Sequence, residues 1–106
     1  MSFHLSAQDI RVDDGHILRA RLDNGEGEWV DAELDLNTVL GNNDGLFEWE
    51  GGDFAASAEG ITFQLEGDEN VPILRAGLTN MNGDVNWHDV NLAERITNNG
   101  GHFELQ

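Results

Sequence analysis

The chain has 106 residues and no cysteine, and its 21 acidic against 5 basic side chains give a net charge of −16. One domain of this length buries roughly two thirds of its unfolded surface, while the missing cysteines exclude a disulfide framework and a cysteine zinc site. The charge excludes nucleic acid and anionic membrane as partners, because both require clustered Lys and Arg.

At the N-terminus, Met1-Ser2-Phe3-His4-Leu5 has no basic segment leading into an apolar one. No apolar run approaches the ~18 residues of a membrane span. Together with the absent cysteines, this sets the expectation of a cytoplasmic protein. Ser6-Ala7-Gln8-Asp9-Ile10 reads as a short turn or bend. Leu18, Ala20 and Leu22 then alternate with Arg19 and Arg21, the period of a half-buried strand. The Gly-bearing turn Asn24-Gly25-Glu26-Gly27 leads to a second strand at Glu28-Trp29-Val30-Asp31. Asp35-Leu36-Asn37-Thr38-Val39-Leu40 places apolar residues at helical spacing behind an Asp cap, so a helical turn or two is predicted there, stopped by Gly41. Gly41-Asn42-Asn43-Asp44-Gly45 reads as a tight turn, and Leu46-Phe47-Glu48-Trp49 as a strand.

The same series then recurs. Ile73-Leu74-Arg75-Ala76-Gly77-Leu78 repeats Ile17 to Leu22 at a shift of 56, and Asn98-Asn99-Gly100-Gly101-His102-Phe103-Glu104 repeats Asn42 to Glu48 at the same shift. Phe54, Ser57, Ala58 and Ile61 repeat Phe3, Ser6, Ala7 and Ile10 at a shift of 51, so about five residues are inserted before Pro72. A copy of some 50 residues is marginal alone. The reading is therefore one domain, 1–106, with repeats at about 1–50 and 51–106 sharing a core, mostly β with short helical turns.

Trp49 alternates with Phe47 and reads as core, as does Trp29, whose counterpart is Val85; Trp87, matching Asp31, reads as exposed. His4, His16, His88 and His102 show no i, i+4 pair and read as surface residues rather than zinc ligands. No window has the ligand spacing of an EF-hand, and no phosphate loop, nucleophile elbow or metal-hydrolase motif occurs. A non-enzymatic binding module with no cofactor is the better class.

Leu34-Asp35-Leu36-Asn37-Thr38-Val39-Leu40-Gly41-Asn42-Asn43-Asp44-Gly45-Leu46-Phe47-Glu48-Trp49 resembles the signature block of cyanovirin-N and its homologues, and the tandem repeat extends the resemblance over nearly the whole chain. The resemblance implies a pseudo-twofold β domain in which each half holds a three-stranded sheet and a β-hairpin, with strands exchanged between repeats. It implies a lectin for mannose-rich glycans and high-mannose glycoproteins, preferring terminal α(1→2)-linked mannose, without catalysis or metal. One pocket would use Gly41, Asn42, Asn43, Asp44, Asp53, Ser57, Thr79, Asn80 and Met81. The other would use Ser2, Leu5, Ser6, Asp23 to Gly25, Asn98, Asn99 and Gly100.

The second pocket has Gly100 in place of the Asp, Leu5 where the family commonly has a polar residue and Gly25 where a Thr can sit, so the Asp44 pocket is expected to bind better. The prototype's disulfide positions read Ala7 with Leu22 and Ala58 with Leu78. Its hinge reads Glu50-Gly51-Gly52-Asp53, without the Pro, so a monomer is expected, with a domain-swapped dimer as the alternative. Two other readings stand beside the lectin: a structural or protein-interaction domain with degraded pockets, and a calcium-binding β domain.

Overall fold

A computed structural model describes residues 3–106; Met1 and the expected pocket residue Ser2 lie outside the described residues. Strands β1 (Ala7–Asp13), β2 (Ile17–Asp23) and β3 (Trp29–Asp35) form an antiparallel sheet. Strands β6 (Ala58–Glu66), β7 (Val71–Thr79) and β8 (Val85–Asn91) form its counterpart. Two hairpins complete the fold: β4 (Leu40–Asn43) with β5 (Leu46–Trp49), and β9 (Ile96–Asn99) with β10 (His102–Leu105).

Strands are exchanged between the repeats, as expected. The β4–β5 hairpin of the first repeat lies on β8, where the Phe47 N–H donates to His88 Nδ1 at 3.1 Å. The β9–β10 hairpin of the second repeat lies on β3. One apolar core joins the halves, with Phe3, Leu18, Leu22, Phe54, Leu74 and Leu78 fully buried. Ala7 stands opposite Leu22 and Ala58 opposite Leu78, so apolar cross-strand pairs occupy the rungs where the prototype would carry cross-links.

The structure corrects several expectations. Residues 6–10 and 57–61 are not simple bends. 3₁₀ turns at Phe3–Ser6 and Phe54–Ser57 end there, and β1 and β6 begin at Ala7 and Ala58. The alternation is hidden because both strands shift register, between Gln8 and Arg11 and between Glu59 and Thr62, with Asp9 and Gly60 at positive φ. The predicted helical turns shrink to Leu36–Thr38 and Leu92–Glu94, capped by Asp35 and Asn91. Asn42, Asn43, Asn98 and Asn99 then lie on strands, and only the residues between β4 and β5, or β9 and β10, turn. The five-residue insertion is not all loop: it adds the rungs Leu65↔Pro72 and Glu66↔Val71 to the β6–β7 ladder.

Trp29 is 43% exposed and Val85 38% exposed, so neither is core. Trp29 shares the outward phase of β3 with Asp31 and Glu33, and that alternation overrides its size. Trp49 is half-buried against the core, with Arg95 6.0 Å from its ring, and Trp87 is 66% exposed. Of the four histidines only His102 is exposed. His16 and His88 are half-buried and hydrogen-bonded, while both ring nitrogens of His4 are buried without a partner.

Candidate functional site

The most informative residue pair is Asn42 and Asn98. Asn42 Nδ2 donates to Ser57 Oγ at 2.9 Å and to the Thr79 carbonyl at 2.8 Å, while its Oδ1 accepts the Gly45 N–H at 2.8 Å. Asn98 repeats the pattern: Nδ2 donates to Ser6 Oγ and the Asp23 carbonyl, both at 2.9 Å, and Oδ1 accepts the Gly101 N–H at 2.9 Å. Each amide thus ties a hairpin, a 3₁₀ turn and a strand end together at one point. Both amide hydrogens are spent internally, so these side chains hold the surrounding elements together and have no N–H left to donate elsewhere.

Around Asn42 the expected residues converge. Asp44, at φ +52, reaches across to accept the Met81 N–H with one carboxylate oxygen at 2.9 Å. Gly41 is buried against the backbone of Gly51 and Gly52 and bridges to Asp53. Asn80 Oδ1 accepts the N–H groups of Asn82 and Asp84 at 2.9 and 3.0 Å, shaping the hairpin wall. Asn43, Asp53, Ser57 and Thr79 are exposed at the rim. What remains for a ligand is the second Asp44 oxygen, the Asp53 carboxylate, the Asn43 amide and the hydroxyls of Ser57 and Thr79.

Around Asn98 the walls enclose a concavity of about 260 Å³ lined by Ser6, Asp23, Asn24, Gly25, Asn98 and Gly100. Leu5, beside it in sequence, is 67% exposed, and Asn99 Nδ2 donates to Glu104 at 2.7 Å. Gly100 has no side chain to bridge the turn, and its φ of +61 matches the backbone of Asp44. The N–H of Gly25, counterpart of Met81, is accepted instead by the Asp23 carboxylate at 2.9 Å. The second pocket has therefore not lost its carboxylate; the acceptor comes from β2 rather than from the facing hairpin.

Asn37 escaped the sequence reading. Its carbonyl accepts the Asp53 N–H at 2.8 Å and its Oδ1 accepts the Ala55 N–H at 3.0 Å, which positions the Asp53–Ser57 wall. The available signal was its difference from Ala93, its counterpart. Among the described residues no three His, Asp or Glu side chains group to hold a metal ion.

This architecture coincides with a known family. Residues 3–104 match the CVNH domain model. The chain is 46% identical over 110 positions to the cyanovirin-N homologue of Neurospora crassa, covering all of this chain and 99% of that protein. The NMR structure of the Gibberella zeae CVNH protein superposes with a TM-score of 0.93 at 48% identity, covering 97% of this chain and 95% of that one. Microvirin, solved as a complex with mannobiose, superposes with a TM-score of 0.88 at 25% identity over 99% of this chain and 98% of its own. The chain belongs to the cyanovirin-N homologue family, with its lectin fold, as a member without cysteine.

Proposed function

We propose that the chain is a non-catalytic lectin for mannose-rich glycans, with terminal α(1→2)-linked mannose as the preferred determinant and the Asp44 pocket as the stronger site. The observation that carries this reading is the Asp44 carboxylate. One oxygen is fixed by the Met81 N–H at 2.9 Å, which leaves the other for a ligand, and Ser57 and Thr79, both tied to Asn42 two residues before Asp44, are exposed. A sugar hydroxyl both donates and accepts, and this rim offers both directions. A hydrogen bond to a charged acceptor contributes about 1.5–3 kcal/mol, against about 0.5–1.5 for a neutral pair. The complex of microvirin with mannobiose supports the choice of sugar.

The Asn98 pocket is the weaker site, because Gly100 supplies no side-chain acceptor from the hairpin turn and the exposed Leu5 stands beside it in sequence. Titration of labelled protein with an α(1→2)-linked mannose disaccharide tests the reading. Backbone shifts should concentrate at residues 41–44, 53–57 and 79–81 and saturate before those at 98–100. Undisturbed turns at millimolar disaccharide would leave a structural or protein-interaction domain as the better account. Earlier saturation at 98–100 would reverse the ranking.

A further inference from the structure

The outer face of β7 and β8 carries an unused aromatic surface. Trp87 stands opposite Gly77 in the ladder, yet is 66% exposed. Its six-membered ring lies over two glycines. A Cβ at Gly60 would come within 2.6 Å of Cη2, and one at Gly77 within 3.2 Å of Cζ2. The first repeat has Asp9, Arg21 and Asp31 at the positions of Gly60, Gly77 and Trp87, with Arg21 and Asp31 3.9 Å apart. Three positions thus differ together: two side chains are absent, and one large aromatic, together with Val85, whose Cγ1 would lie 2.6 Å from a Cβ at Gly77, takes the space they leave. Packing the core does not require this, since the first repeat folds the same sheet with charges there.

Both sheets have a concavity at this level. The first, about 290 Å³, is lined by Arg11, Arg19, Ala20, Asp31, Ala32 and Glu33 and has no aromatic wall. The second, about 200 Å³, is lined by Arg75, Trp87, His88 and Asp89. Arg75 is held by Glu66 and lies 3.5 Å from Asp89, so the rim presents a fixed guanidinium and a carboxylate beside the indole.

We infer that Trp87 is the floor of a sugar subsite that receives an inner ring of an oligosaccharide whose terminal residue sits in the Asp44 pocket; this inference rests on the lectin reading proposed above. The C–H face of a pyranose meets the electron-rich face of the indole, and its hydroxyls meet Asp89 as acceptor and Arg75 as donor. A nucleic acid stacking a base here would bring its phosphates to a chain of net charge −16. A wholly apolar partner would strip water from Arg75 and Asp89 without replacing it. The subsite lies close to the pocket rim along β7, with Val85 opposite Thr79 as the next rung on that face after Trp87 and Gly77. Thr79, on the pocket rim, projects from the same face of β7 as Gly77, two residues and about 7 Å along the strand.

The test compares an α(1→2)-linked mannose disaccharide with the corresponding tetrasaccharide on the wild type, Trp87→Asp, which installs the first repeat's residue, and Trp87→Phe. The tetrasaccharide should shift the Trp87 indole N–H resonance, whereas the disaccharide shifts only the turn at residues 41–44. Trp87→Asp should weaken the tetrasaccharide about tenfold and leave the disaccharide unchanged, while Trp87→Phe retains most of the gain. If Trp87→Asp does not fold, the wild-type indole resonance and the Phe variant decide. Equal tetrasaccharide affinity in wild type and Trp87→Asp, or an indole resonance unmoved by the tetrasaccharide, overturns the subsite and leaves the Asp44 pocket standing. An indole that shifts while residues 41–44 do not supports a sugar platform at Trp87 but overturns its pairing with that pocket. No response anywhere to either sugar removes both.

Discussion

Asp44 and Asp9 occupy left-handed backbone, with φ of +52 and +56, where the other repeat places Gly100 and Gly60. Each costs about 1 kcal/mol or more relative to glycine. For Asp44 the strain accompanies a carboxylate bonded to the Met81 N–H. Asp44→Gly is therefore expected to change stability by no more than about 1 kcal/mol, strain relief offsetting the lost hydrogen bond. Disaccharide affinity at that pocket should fall by about tenfold or more. Isothermal titration beside thermal unfolding separates the two effects. The reverse change does not simply copy the site. A Cβ at Gly100 meets nothing within 4 Å, but Asp23 already accepts the Gly25 N–H that a new carboxylate would seek. Two like charges would then compete for one donor. Gly100→Asp alone should not improve sugar binding at the second pocket. Combined with Asp23→Thr, which copies Thr79, it should, a non-additivity that a double-mutant cycle measures.

At the scale of elements, the fold depends on two hairpins being seated on sheets from the other repeat. Gly45 and Gly101 are the seats. Gly45 has φ +88, and a Cβ there would lie 2.2 Å from Asn86 Nδ2; Gly101 has φ +98, and a Cβ would lie 2.7 Å from Val30 Cγ2. Gly45→Ala combines backbone strain with a clash on β8, so it should destabilise by more than about 1 kcal/mol and lower Tm by about 4 °C or more. The Asn42 bonds that depend on the same turn should loosen as well, which predicts weaker sugar binding in the folded fraction. Unchanged melting would show that the hairpin is not held at this contact. The alternation of β2, β5, β7, β8 and β10 was readable because each exposes one face to water. Strands β1 and β6 were not, since a bulge shifts the side-chain phase in mid-strand. The 41–45 segment misled in another way: Asn and Gly are turn formers, yet here Gly41 pairs with Glu48 in a strand and lies tight against the backbone of Gly51 and Gly52.

The whole molecule is elongated, 50 × 26 × 22 Å, with the repeats interleaved over one core. Its acid stability should hinge on a few placed carboxylates. His16, with a proton on Nδ1, donates to Asp35 at 2.9 Å, and this bond, then the Asn37 backbone N–H, holds the Asp35 carboxyl below its usual range. Arg75 does the same for Glu66. A carboxylate with a depressed folded pKa contributes stability that is present above its unfolded value of about 4 and is lost as pH falls through the folded value. Stability should accordingly decline as pH is lowered below about 4. His16→Ala should flatten that acid limb and raise the Asp35 pKa, as followed by carboxyl NMR titration and by Tm against pH. An unchanged Asp35 titration would show that His16 is not the source of the shift.

By itself the sequence determined the duplication, the β class and the family, because local periodicity and a repeated motif are properties of the chain in order, whereas the turn it read over residues 41–45 narrowed in the structure to Asp44-Gly45. It could also rank the two turns by their Asp and Gly, since that difference needs no coordinates. Only the tertiary structure decided what those residues do. Asn42 is bonded to residues 15 and 37 positions away, so its amide could be seen as spent only once those partners were in place. The same holds for Asp23 standing in for the missing Asp, and for Trp87 lying on Gly60 and Gly77. These are contacts between segments far apart in the chain, and their geometry is set by how two hairpins dock on exchanged sheets.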